Sequence, residues 1–243
     1  MKINVELHTH TNYSHDSNLF NWLYLIMLKL KNINAVAITD HNEVEGAIKF
    51  KKFLKKHGIE VIVGEEIFTT KGEIIGLFIK EKINPGLSPR ETMLKIKEQS
   101  GLVYIPHPYD EKRYKTVLVE SEISANLDLI DIIEIHNGRN IKDHFSEKQL
   151  EIAEKYKKVK SVGSDAHTFF ELGRNYISML NFNTSNEFYN NLKDAQLTKA
   201  KCLPIAHQVT KVDRIIKLIG KGNINELCRI VYKKYRRRHA KSS

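Results

Sequence analysis

Two histidines stand two residues apart in Leu7-His8-Thr9-His10, and a polar turn, Thr11-Asn12-Tyr13-Ser14-His15-Asp16, follows directly. On an extended chain, residues two apart point to one side, so the two imidazoles would share a face. The same form recurs later, each time as an apolar run ending in acid or imidazole. These runs are Ala35-Val36-Ala37-Ile38-Thr39-Asp40-His41, Val61-Ile62-Val63-Gly64-Glu65-Glu66, Leu102-Val103-Tyr104-Ile105-Pro106-His107 and Val159-Lys160-Ser161-Val162-Gly163-Ser164-Asp165-Ala166-His167. Imidazole nitrogen mixed with carboxylate oxygen suits Zn, Mn or Fe better than Ca or Mg. Carboxylates can bridge two such ions about 3.5–4 Å apart and set up in-line displacement at phosphorus. No elbow-type motif suggests a Ser-His-Asp or Cys-His nucleophile.

The elements that must position these groups can be read from periodicity. Residues 2–6, 35–38, 59–63, 102–105, 129–137, 159–163 and 176–180 read as strands. Between them, residues 19–30, 43–56, 90–99, 143–157 and 185–195 read as helices, and 68–70 with 73–78 as a hairpin turned at Lys71-Gly72. Residues 108–126 read as loop with a short helix. The helix at 19–30 is apolar on more than one face, which places Trp22 in the core. Strands alternating with helices imply a parallel sheet with helices outside it. Polar groups at the C-terminal strand ends favour closure into a barrel, where active sites lie at that face.

The 243 residues are enough for a full α/β barrel, and 41% hydrophobic with 28% charged residues is a soluble composition. No apolar run reaches the roughly 20 residues of a membrane span. The chain opens on a strand pattern, so no signal peptide is expected, and two cysteines do not make a disulfide framework. A cytoplasmic setting follows as the expectation. Residues 199–243 hold 13 Lys/Arg and 2 Asp/Glu, leaving 26 and 27 for residues 1–198, so the excess positive charge sits in the last fifth. The chain therefore divides into a barrel over 1–198 and a basic, helical C-terminal extension over 199–243, with helices broken at Gly220-Lys221-Gly222. Its run Lys233 to Lys241 offers non-specific contact to nucleic acid or an anionic surface.

Together, His8-Thr9-His10, Thr39-Asp40-His41, Gly64-Glu65-Glu66, Pro106-His107-Pro108 and Gly163-Ser164-Asp165-Ala166-His167 resemble the ordered motifs of the PHP (polymerase and histidinol phosphatase) family. The resemblance implies a distorted (β/α)7 barrel holding two or three divalent metals, Mn, Zn or Fe, and cleavage of phosphoesters. By position it implies metal contact from His8, His10, Glu66, His107, Asp165 and His167, with His41 at a third-metal corner. Either His15 or Asp16 completes that corner, and Ser14-x-Asp16 favours Asp16. At 136–137 the chain departs from the family: Asn137 holds the matching position and His136 is the better ligand. Asp40 would orient a ligating histidine, and His41 could protonate the leaving oxygen. Arg139, then Arg113 and Arg174, are candidates to hold phosphate. His144 and His207 carry no motif and read as surface groups.

The implied activity is a phosphatase acting on a small phosphorylated metabolite or nucleotide. An exonuclease or nucleotide-end phosphatase is the alternative within the same chemistry. An amidohydrolase-like C–N hydrolase and a non-catalytic binding protein are the alternatives outside it.

Overall fold

A computed structural model describes residues 1–113, 115–220, 222–229 and 232. Its strands are β1 (Lys2–Glu6), β2 (Ala35–Ile38), β3 (Glu60–Thr69), β4 (Gly72–Leu77), β5 (Leu102–Ile105), β6 (Ile132–Asn137), β7 (Val159–Gly163), β8 (Tyr176–Leu180) and β9 (Gln196–Thr198). They form one sheet in the order β7-β6-β5-β4-β3-β2-β1-β8-β9, curled into a nearly closed α/β barrel. Neighbours β1–β2, β2–β3, β5–β6 and β6–β7 pair in parallel, whereas β4 runs antiparallel to both β3 and β5. The seam closes at the C-terminal face, where Thr9 beyond β1 forms a parallel bridge with Ala166 beyond β7.

Helices α1 (Asn21–Leu30), α2 (Glu45–Lys55), α3 (Pro89–Glu98), α4 (Glu120–Ala125), α5 (Asp143–Lys155), α6 (Ser185–Leu192) and α7 (Pro204–Gly220) complete the described elements. The start of α3 is fixed locally: Ser88 caps it, Glu91 returns the bond to the Ser88 backbone, and Pro89 presets the first turn. The outer packing layer joins Tyr24, Leu28, Ala47, Phe50 and Leu54 of α1 and α2 to Val36, Ile38 and Val61 of the sheet.

Trp22 does not join that layer. It is 55% exposed and lies edge-on to Phe53, with ring centroids 4.9 Å apart. Its helix is apolar beyond the face it buries, and Tyr24, Leu25 and Leu28 take the inner face. The hairpin stands as expected, with Thr69 opposite Gly72. Gly72 is required there: its φ is +133°, and a Cβ would come within 2.6 Å of the Val117 backbone. The helix expected over 185–195 stops at Leu192, and β9, too short for a periodic signal, follows. In the C-terminal stretch, α7 begins at Pro204 and the chain turns at Gly222, with residues 224–229 helical. Residues 233–243, which carry the basic run Lys233 to Lys241, lie outside the described residues. Among the described residues no helix is long and apolar enough to cross a membrane.

Candidate metal centre at the barrel mouth

Six parallel strands deliver polar ends to one face, and two bridges bring those ends together. Thr9 pairs with Ala166, so His8 and His10 lie beside Asp165 and His167, and His41 pairs with Glu66. Glu66 is the hub. Its Oε2 lies 3.0 Å from His41 Nδ1, 3.4 Å from His10 Nε2 and 3.5 Å from His8 Nε2, while Oε1 lies 3.1 Å from His107 Nε2. Asp165 Oδ1 stands 3.3 Å from His10 Nε2 and 3.6 Å from His8 Nε2. Asp16 Oδ1 reaches His167 Nε2 at 3.3 Å and His41 Nε2 at 3.8 Å.

Sets of three donor atoms lie within 4.8 Å of one another in five overlapping groups: His8/His10/Glu66, His8/His107/Asp165, His10/His41/His167, His15/Asp16/His41 and His41/Glu66/Glu73. Within them His8 Nε2, His10 Nε2, Glu66 Oε2, Asp165 Oδ1 and Asp16 Oδ1 are buried without a hydrogen-bond partner. Orphaned polar atoms in a dry interior are costly, and five aimed at one another are what divalent cations would satisfy. The donor set therefore fits two or more such ions.

Charge reinforces the arrangement. Burial alone would raise the pKa of each of these carboxyls, but nearby cations outweigh it. His8 and His41 hold Glu66 well below the carboxylate range, and Arg113 and His8 do the same for Asp165. His167 and His41 depress Asp16. Burial, together with repulsion from His167 and His41, keeps His10 neutral. Ionised carboxylates and neutral imidazole are the forms that bind metal, so His8 and His41, which the surrounding carboxylates hold protonated, would release their protons on binding an ion. Glu73 goes the other way: burial and the adjacent Glu66 push it up to about 7.

A supporting layer fixes the rings. Glu134 accepts from His8 Nδ1 (3.1 Å), Tyr104 Oη (2.7 Å), the His107 backbone N–H (2.6 Å) and Asn137 Nδ2 (2.9 Å). Asp40 accepts from the Thr11 N–H and from Ser14 Oγ, both at 2.7 Å, and Ser14 Oγ lies 3.1 Å from His10 Nδ1. Thus Asp40 orients His10 through Ser14, and it meets no reacting position itself. Gly163 leaves room for this layer, since a Cβ there would fall 2.3 Å from Glu134 Oε1 and 2.5 Å from His8 Cβ. His107 and Asp165 adopt positive φ, +32° and +53°, a strained geometry for non-glycine residues.

The structure brings together His8, His10, Asp16, His41, Glu66, His107, Asp165 and His167. Glu65, next to the hub, turns away and accepts from the Ile83 N–H. Position 136–137 is resolved by a bulge at Ile135, since Glu134 pairs with Ser161 and His136 already with Val162. The extra residue reverses the alternation. His136 points outward to Ser146 Oγ and the Ala200 carbonyl, and Asn137 stays inside, donating to Glu134 and accepting from the Arg139 N–H. Asn137 thus supports Glu134 instead of extending the ring of donors.

Arg139 is a correction of a different kind. It is 5% exposed, donates to Thr210 Oγ1 at 2.8 Å and lies 3.3 Å from Glu171 Oε1, so its guanidinium is committed to structure. Arg174 donates to the Lys201 carbonyl. Arg113 is the arginine at the centre itself, paired with Asp165 and Asp110 and 21% exposed. His207 is half-buried, 3.4 Å from Cys202 Sγ, and His144 lies edge-on to Phe145.

Sequence reasoning missed Glu73 and Glu134. Glu73 lies 3.7 Å from both His41 and His107 because β4 runs antiparallel, so its start, not its end, sits at the mouth. The hairpin register held that signal. Glu134 is a lone acid inside Ile132-Ile133-Glu134-Ile135, a pattern that marks a paired buried charge.

Below the centre, Glu6 is fully buried; burial pushes it up to about 8 against its bonds to Ser164 and the Gly173 N–H. A carboxyl bound more tightly to its proton when folded stabilises fully below the ordinary glutamate range, and that stability is lost as pH rises toward 8. Glu6→Gln should keep the Gly173 contact and flatten this loss, which amounts to roughly 5 kcal/mol at most. Urea midpoints of both proteins in chelator between pH 5 and about 9 provide the check. Parallel curves would contradict it.

Comparison with known proteins agrees with this geometry. The PHP domain family model matches residues 6–241. An uncharacterized protein of Methanocaldococcus jannaschii is 36% identical over 212 residues, covering 81% of this chain and 83% of its own. Among solved structures, one from Bifidobacterium adolescentis, provisionally assigned as a metal-dependent phosphoesterase, has a TM-score of 0.58 at 16% identity, covering 68% of this chain and 87% of its own. An amidohydrolase from Chromobacterium violaceum with bound sulfate has a TM-score of 0.57 at 16% identity, covering 84% and 95%. At that identity the structures testify to the fold. The sequence match spans nearly the whole chain, and the protein belongs to the PHP domain family.

Proposed function

We propose that this chain is a metal-dependent phosphoesterase that hydrolyses a small phosphorylated metabolite or nucleotide. The reading is carried by five buried, unpartnered donor atoms converging on Glu66 and Asp165. Two or three divalent ions, of Mn, Zn or Fe type, would be held by His8, His10, Asp16, His41, Glu66, His107, Asp165 and His167, with Glu73 as a further carboxylate. Such ions supply Lewis acidity toward phosphoryl oxygens and acidify water at neutral pH.

The chain's own groups do the rest. Arg113 stands at the rim beside Asp165, where its planar fork can take two phosphoryl oxygens. His41 is mostly buried, 13% exposed, at the same mouth, next to Glu66 and Asp16, and could deliver a proton to the leaving oxygen. Asp40, Glu134 and Glu171 hold the histidine rings and the 167–168 turn and so limit reorganisation during reaction.

Metal analysis followed by a panel of phosphomonoesters, phosphodiesters and cyclic amides on Mn- or Zn-loaded protein tests this reading. Phosphomonoesters should turn over best. Arg113→Met should cut their kcat/KM roughly 10²-fold, the loss typical of one transition-state contact. Turnover of cyclic amides with none of phosphoesters would move the assignment to C–N hydrolysis. Protein that binds less than about one metal per chain and gains no activity on metal addition would sink it.

A further inference from the structure

In α7, Thr210, Asp213 and Lys217 are spaced three and four apart, so they share one helical face. That face meets the barrel at three points. Arg139 Nη2 donates to Thr210 Oγ1 at 2.8 Å, Asn18 Nδ2 donates to Asp213 Oδ1 at 2.8 Å, and Lys217 Nζ donates to the carbonyls of Asn12 (2.7 Å) and Ser14 (2.5 Å).

Each contact leads to a loop of the centre. Lys217 clips the turn between His10 and Asp16 from both sides of Tyr13. Within that turn, the Ser14 hydroxyl joins Asp40 to His10 and also accepts from the His41 N–H at 3.2 Å. About two turns earlier in the helix, Thr210 holds Arg139, and Arg139 faces Glu171. Glu171 accepts from the backbone N–H groups of His167 (3.1 Å) and Thr168 (3.0 Å). One helix therefore spans the two loops that carry His10 and Asp16 on one side and His167 on the other.

We propose that α7 is a strap that positions both loops, with Lys217 as the positioning residue for the turn that seats His10 and Asp16. The inference rests on reading the cluster as a metal centre. Besides the Ser14 and Asp40 bonds, the turn is tied by the Ser14 N–H to the Thr11 carbonyl (3.0 Å), the Tyr13 N–H to Thr11 Oγ1 (3.2 Å) and the Asn12 N–H to the Leu19 carbonyl (2.9 Å), while the carbonyls of Asn12 and Ser14 accept from Lys217. An ammonium bonding two carbonyls is a charge-assisted clip that no neutral side chain of similar length reproduces. Guanidinium, with its fork of donors, can.

The experiment uses the full chain with Lys217→Met and Lys217→Arg. Hydrogen exchange of residues 12–16 is measured in chelator, and Mn²⁺ binding is measured by calorimetry. Lys217→Met should speed exchange in 12–16 while β2 and β3 keep their protection. It should weaken the weakest Mn²⁺ site about 10- to 100-fold, as loss of an outer-shell partner does, and spare the tightest. Lys217→Arg should restore both. Unchanged exchange with superimposable isotherms would overturn the proposal. So would loss of protection throughout the barrel without rescue by arginine, because that marks general destabilisation. If the wild-type chain binds no Mn²⁺, the metal reading fails, and the exchange result alone decides whether α7 holds the turn.

Discussion

Glu66→Gln is expected to strip the protein of at least one bound ion and lower phosphoester hydrolysis on the order of 10³-fold, about 4 kcal/mol of transition-state stabilisation. The magnitude follows from position. One carboxylate faces His8, His10, His41 and His107 within 3.0–3.5 Å, so among the described residues no other carboxylate faces as many histidines. The amide keeps the size and one acceptor oxygen. It removes the charge that bridges cations and aims an N–H₂ at imidazole nitrogens. Metal content of the purified variant and kcat/KM under saturating Mn²⁺ are the readouts. A variant that retained its metal and lost less than about tenfold in activity would show that Glu66 is not the hub.

Glu134→Ala should produce the largest loss of stability among changes at the centre. Four donors converge on that carboxylate: His8 Nδ1, Tyr104 Oη, the His107 N–H and Asn137 Nδ2. Every one is buried, and the side chain itself is fully enclosed. Truncation leaves them facing a cavity, and breaking such a network typically costs about 3–5 kcal/mol. For a chain of this size that corresponds to a fall in Tm of roughly 10 °C. Metal affinity should also drop about 10- to 100-fold, because His8 loses the bond that fixes its ring. Glu65→Gln is the contrast. Burial pushes Glu65 up to about 7, so near neutral pH about half of it is protonated already, and its bond from the Ile83 N–H survives in the amide. Calorimetric melting of the two variants side by side decides the matter. Equal, small shifts would mean that Glu134 is not the keystone of this layer.

The ring of donors was legible because alternation along a strand is a property of a few consecutive residues. His8 and His10 share a face whatever the rest of the chain does, and an apolar run ending in Asp165-Ala166-His167 needs no partner to be noticed. At 15–16 the sequence left both residues open with Asp16 preferred, and the structure sets His15 and Asp16 in one group with His41. Asp16 contacts His167 and His41, while the His15 side chain is 53% exposed. Trp22 was misplaced for the opposite reason. Periodicity says that a helix has an apolar face, and α1 has more apolar surface than the barrel covers.

By itself, the sequence determined the α/β barrel, the face on which its polar strand ends gather and most of the donors in the centre. Tertiary structure decided what depends on neighbours distant in the chain. An antiparallel β4 carried Glu73 to the mouth, and the bulge at Ile135 turned His136 out and left Asn137 behind Glu134. Packing of α7 on the barrel committed Arg139 to Thr210 and Glu171 and left Arg113 at the rim. The physical reason is common to all three. A side chain's face is set by local backbone periodicity, but strand register, bulges and helix docking are set by which distant surfaces bury each other, and one residue of slip exchanges inside for outside.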